Sequence, residues 1–116
     1  MTVKKSNIEF SEVKIERLQN SIYSLQQTLS NTDSLYYIDY LIEILNSLQQ
    51  RNSTNFEKLV ISNELFGGSG ALWELYFSDS KQNKTFKSQF CQFIDCLEDL
   101  GINNPRIKQV KEGLRL

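Results

Sequence analysis

Five apolar residues, Ile15, Leu18, Ile22, Leu25 and Leu29, follow one another at steps of three and four, and that spacing puts all of them on one side of an α-helix. A strand would scatter the same residues over both faces. Residues 11–30 are therefore expected to be helical, with Ser11 as N-cap and Glu12 in the first turn, where the helix dipole favours a negative charge. A stripe of this kind needs a partner to cover it, so the rest of the chain must supply further amphipathic elements.

It supplies them. The turn-forming run "SNTDS" offers Thr32 or Asp33 as cap for a second helix over about residues 34–50, with Leu35, Ile38, Leu41, Ile42, Leu45 and Leu48 as its core stripe. The short connection makes a hairpin with the first helix. Thr54 and Glu57 have the spacing of a capping box, so a third helix is expected over about residues 55–66, burying Phe56, Leu59 and Val60. Phe86, Phe90, Phe93, Ile94 and Leu97 line a long helix over about residues 83–100, closed by Gly101. Asn104 and Pro105 stand where an N-cap and first helical residue belong, opening a last short helix. Ile8 and Phe10 alternate with polar neighbours, leaving residues 1–10 as a loose arm or an extra turn. With 116 residues this amounts to one all-α domain, an irregular bundle of five to six helices.

Between the third and the long helix lies "NELFGGSGALWELYF". Gly67 and Gly68 follow Phe66 where a left-handed residue would close a helix, and Ser69 could cap the next segment. Ala71 to Phe77 is then expected as a short helix giving Leu72, Trp73 and Tyr76 to the core, with Gly70 letting its first turn approach a neighbour. A phosphate loop would need a lysine after its glycines, and none occurs between Lys58 and Lys81; a dinucleotide fingerprint would need a preceding strand. Gly67, Gly68, Gly70 and Trp73 are thus expected to form a structural corner, the alternatives being anion binding by bare backbone N–H groups and a partner-contact loop. The pattern L-F-G-G-x-G, followed by Glu74 and Leu75, resembles a motif of small helical bacterial proteins that act as immunity proteins in toxin systems of the contact-dependent growth inhibition type. The resemblance implies a cytoplasmic protein that binds and neutralises a cognate toxin domain, a nuclease among the candidates, by covering its active site or substrate channel.

Chemistry is sparse in the remainder. Histidine is absent, which removes the commonest general base and transition-metal ligand. No nucleophile with a base, metal cluster or cofactor loop is recognisable, so neither enzyme activity nor a cofactor is expected. Cys91 and Cys96, five apart on one helix, point roughly 140° away from each other and should stay reduced. No apolar run is long enough to span a bilayer, and the start has lysines without an apolar segment behind them, so no membrane partner is expected and the chain is read as cytosolic.

Charge is more informative in its placement than in its net value of −1. Arg17 and Arg51 bracket a stretch without basic residues that contains Asp33, Asp39 and Glu43. Tyr36, Asp39, Tyr40 and Glu43 share one face of the second helix, and Asp39 with Glu43 repel at i,i+4. Tyrosines are enriched at the energetic centres of interfaces, and carboxylates beside them attract a basic partner. In chemical character this face is similar to that of helical colicin-type immunity proteins. The alternative is that Tyr36, Tyr37 and Tyr40 sit half-buried at the bundle edge while the acids are solvated. Asp95, Glu98 and Asp99 on one helical stretch read as a solvated face and not as a metal site. Lys81, Lys84 and Lys87 crowd the start of the long helix, where the dipole disfavours cations, and could join Arg106, Lys108, Lys111 and Arg115 in a phosphate-contacting patch. The rivals to a toxin-binding protein are thus a self-associating adaptor using its tyrosine face and, less favoured, a small nucleic-acid-binding module.

Overall fold

Ser11 does what its position requires: its hydroxyl accepts from the Lys14 backbone N–H at 3.3 Å and opens helix α1, Glu12–Ser30. The structure is a computed structural model describing residues 8–30, 32, 35–68 and 70–115. All five residues of the α1 stripe are buried. Thr32 closes this helix, donating its hydroxyl to the Leu29 carbonyl at 2.7 Å. Asp33, the other cap considered for the second helix, lies outside the described residues.

Helix α2, Leu35–Gln49, is rolled relative to the expected stripe. Leu41, Leu45 and Leu48 are buried and Ile38 packs at the core edge, but Leu35 is 67% exposed and Ile42 43%, while Ile44 is fully buried. The inward face runs Tyr37, Leu41, Ile44, Leu48, again at steps of four, three and four. In "LYYIDYLIEIL" apolar and aromatic residues occupy most directions, so spacing alone does not select the face. The hydroxyls of Tyr37 and Tyr40 select it, because each reaches a backbone carbonyl on a neighbouring segment.

Helix α3, Ser53–Val60, starts earlier than expected because Asn52 is its N-cap, accepting from Asn55 N at 3.1 Å; the Thr54–Glu57 capping box is not used. Arg51, in the left-handed region at φ 53°, makes the reversal from α2. The expected helix over 55–66 is two pieces. Ile61 ends α3, Ser62 turns extended, and a single turn, α4 (Asn63–Phe66), comes next. The break lets Ser62 meet the Tyr40 hydroxyl.

Helix α5, Ser80–Leu100, is three residues longer at its start than its apolar stripe indicates, because Asp79 accepts from the Lys81 N–H at 2.9 Å. Its phenylalanines form the centre of the core: Phe90 packs on Phe66, Phe86 and Phe93 at centroid distances of 5.5, 5.9 and 5.6 Å, and Phe77 meets Phe86 edge-on at 5.3 Å. Gly101 closes α5 at φ 112°. Helix α6, Pro105–Arg115, opens with Asn104 accepting from Ile107 N at 3.1 Å. The main packing is α1 on α5, with α2 on the other flank of α1 and α3 on α2. Ahead of α1 the chain is docked: the Glu9 N–H donates to Leu100 O at 2.7 Å and Phe10 lies edge-on to Phe56. One hydrophobic cluster spans all of these elements, and no strand occurs among the described residues, so the fold is an all-α single-domain bundle.

Candidate partner-binding face

The roll of α2 decides what it offers to the outside. Leu35, Asp39 and Ile42 run along the outward line, with Tyr36 and Glu43 flanking it, and all five are exposed. Tyr36 stands 61% exposed, its ring edge-on to Tyr37 at 5.4 Å. Among the described residues neither Asp39 nor Glu43 is in an ion pair. Tyr40 is different. It is half-buried, its hydroxyl donates to Leu59 O at 2.7 Å and meets that of Ser62, and burial pushes its pKa above the ordinary tyrosine value. Of the four residues expected on this face, three are presented and Tyr40 is an anchor. Leu35 and Ile42, expected in the core, replace it as the apolar part of the surface.

The glycine corner holds the neighbouring segments to this helix. Gly67 is extended (φ −75°, ψ −160°) and not left-handed; a Cβ there would lie 2.6 Å from Asn63 O, so it is a glycine because the chain passes hard against the preceding turn. Gly70 carries the left-handed conformation at φ 89°, and a Cβ on it would meet no atom within 4 Å, so it serves the turn and no close approach. The expected helix over 71–77 is a single 3-10 turn, Leu72–Glu74. Leu72 is buried and Trp73 half-buried, but Tyr76 is 76% exposed, not in the core. Ser69 lies outside the described residues.

This corner offers carbonyls, and side chains satisfy them. Trp73 Nε1 donates to Gly67 O at 2.7 Å, Arg106 donates to Phe66 O at 2.7 Å and Gly67 O at 3.1 Å, and the Tyr37 hydroxyl donates to Gly70 O. The Arg106 guanidinium lies 5.6 Å from the Trp73 ring centroid, a cation–π contact.

The other charged groups fall into two sets. Lys111 pairs with Asp95 at 2.5 Å and Glu98 at 3.0 Å, and Arg17 with Asp99 at 3.3 Å, so each of the three acids of α5 is ion-paired within the chain. Arg106 is held at the corner and Lys108 donates to Asn103 Oδ1 at 3.1 Å. Of the C-terminal basic residues, Arg106, Lys108 and Lys111 are thus engaged within the chain, and Arg115 lies near Cys91 beside the groove of Lys84 and Lys87. Lys81, Lys84 and Lys87 themselves are exposed, with Lys84 and Lys87 beside Tyr76 on that groove. Cys91 is half-buried and Cys96 buried; both are free thiols, pushed up in pKa by burial, and Cys96 Sγ donates to Arg17 O at 3.7 Å.

Compared with known proteins, the chain matches no family model, no curated protein and no solved structure.

Proposed function

We propose that this chain is a binding protein of the immunity type, whose α2 face captures a basic protein domain, the cognate toxin, and blocks it. The observation that carries this reading is the unpaired state of Asp39 and Glu43 beside exposed Leu35, Tyr36 and Ile42. Apolar and aromatic surface at the centre supplies the energy of a hot spot once water is excluded. The two carboxylates steer a cationic partner and raise its association rate. A second copy of the same face is a poor partner, since a two-fold contact would bring carboxylates to carboxylates. The toxin class comes from the resemblance of the L-F-G-G-x-G corner, and a cytoplasmic site of action comes with it. No helix among the described residues is long and apolar enough to cross a membrane.

The test is genetic and physical together. The product of the adjacent upstream gene, expressed alone, should arrest growth, and co-expression of this chain should restore growth and co-purify the pair. Asp39→Lys with Glu43→Lys should abolish both effects. A harmless upstream product that does not co-purify removes the reading.

A further inference from the structure

The groove between α5, the Tyr76 segment and the end of α6 has properties that the α2 face does not explain. Its volume is about 500 Å³, within the range of small-ligand sites, and Tyr76, Asn83, Lys84, Lys87, Gly113 and Leu114 border it. Lys84 and Lys87 are neighbours at i,i+3 with no ion pair among the described residues. Asn83 is only 9% exposed, and its Oδ1 accepts from the Phe77 N–H at 3.2 Å. Because that backbone group is a donor, the side-chain orientation is fixed, and Nδ2 donates to no described residue at the groove wall.

Gly113 gives an independent indication. It sits inside α6 with an ordinary helical backbone, and a Cβ on it would meet no atom within 4 Å. Glycine in a helix is less stable than alanine, and neither a positive φ nor a close neighbour among the described residues requires it there. It borders both this groove and a second cavity of about 230 Å³ that shares Tyr76, Lys87 and Leu114 with it.

We propose that this groove binds a nucleotide, its base stacked on Tyr76 and its phosphate held by Lys84, Lys87 and the Asn83 amide. Tyr76 is 76% exposed, more than any other large hydrophobic side chain among the described residues, and an open ring beside two cations is the pairing by which single-stranded nucleic acids and nucleotides are held. A phosphate between the lysines relieves their mutual repulsion. Glu74 borders only the second cavity, which sets the phosphate at the Lys84 end and leaves the carboxylate for amino or sugar hydroxyl donors. The same chemistry is presented by a free nucleotide and by the end of a strand.

The full chain is titrated with ATP, with inorganic triphosphate and with a short single-stranded RNA at low and raised salt. Saturable, salt-sensitive binding of ATP or RNA is expected, at least about tenfold weaker in Lys84→Gln/Lys87→Gln and about fivefold weaker in Tyr76→Ala. Tighter RNA than ATP identifies a strand as the source, and the reverse identifies a free nucleotide. Gly113→Leu should fill the groove and reduce binding while Gly113→Ala raises the melting temperature, an outcome a purely structural glycine would not give. Absence of binding, equal affinity for inorganic triphosphate and ATP, or wild-type binding by the lysine pair overturns the proposal. Capture of a toxin through α2 is unaffected by these variants, so the two readings fail separately.

Discussion

Helices α5 and α2 both carry acidic residues at neighbouring positions, and they hold them in opposite ways. On α5, Asp95 and Glu98 share Lys111, and Asp99 takes Arg17 from α1. On α2, Asp39 and Glu43 repel each other and have no such partner among the described residues. Composition does not separate the two cases; the identity of the packed neighbour does. α5 is flanked by α1 and α6, which bring cations to its acids, whereas the outward line of α2 is exposed. The α2 carboxylates add no ion pair to the fold, and the capture surface is proposed on that ground.

Breaking the comparison on the α2 side should produce the largest effect. Asp39→Lys with Glu43→Lys should weaken capture of the basic partner by about a hundredfold, roughly 2.7 kcal/mol, with thermal stability unchanged or slightly raised. Measuring the association rate against salt sharpens this: the wild-type rate should fall steeply with ionic strength and the variant rate should not. A variant that binds normally would place the partner elsewhere. Tyr40→Phe tests the boundary of the face. It removes the donor to Leu59 O and should cost about 1 kcal/mol in denaturant unfolding while leaving capture intact.

On the α5 side the same kind of change should act on stability alone. Lys111→Met removes the cation shared by Asp95 and Glu98 and should cost about 1 kcal/mol, the upper end for a partly exposed pair because two carboxylates lose one partner. Its pH dependence has a defined sign. Hydrogen bonds to Asp95 and then Glu98 hold the Lys111 pKa above its ordinary 10.5. The stabilisation is therefore complete below about pH 10.5 and is lost as pH rises through the raised value. Tyr37 and Tyr40, whose pKa values burial raises above 10.0, also destabilise the fold in strong base, because the unfolded chain loses those protons first. The measurement is accordingly a difference: the gap in melting temperature between wild type and Lys111→Met should be constant to about pH 10 and then narrow.

Sequence made most of the fold legible where one stripe and one cap agreed. Ile15 to Leu29 and Phe86 to Leu97 each allow a single buried face, and Ser11, Gly101 and Asn104 act as their residue types dictate. It was ambiguous where several solutions share one pattern. Helix α2 is apolar in most directions, so the choice of Ile44 over Ile42 rests on tyrosine hydroxyls reaching Leu59 O and Gly70 O, contacts across 19 and 33 residues that no local window contains. The same holds for "RNSTN", where Asn52 and Thr54 both suit a cap, and for Ser62, whose break in the third helix is fixed by Tyr40. Of the candidate face, Tyr36, Asp39 and Glu43 were readable from charge and spacing. Leu35 and Ile42 were not, because apolar residues at helical spacing are normally core, and neither was Tyr76 beside Lys84 and Lys87, which only the groove brings together.

The smallest expected effect is the most discriminating. Asp39→Lys alone removes a like-charge pair and places a lysine four residues before Glu43. The new pair has the weaker of the two orientations along the helix dipole, and position 39 lies beyond the first turn, where a cation is little opposed. Relief of repulsion and the new attraction together should raise stability by a few tenths of a kcal/mol, read as a small upward shift in the urea midpoint at unchanged slope. A solvated face of no consequence would show that gain and nothing else. A capture surface would show it together with a loss of partner affinity, because the substitution sets a lysine against a cationic partner. If Asp39→Lys raises stability and binds the toxin as wild type does, the acidic face of α2 is no different from any other stretch of solvated helix.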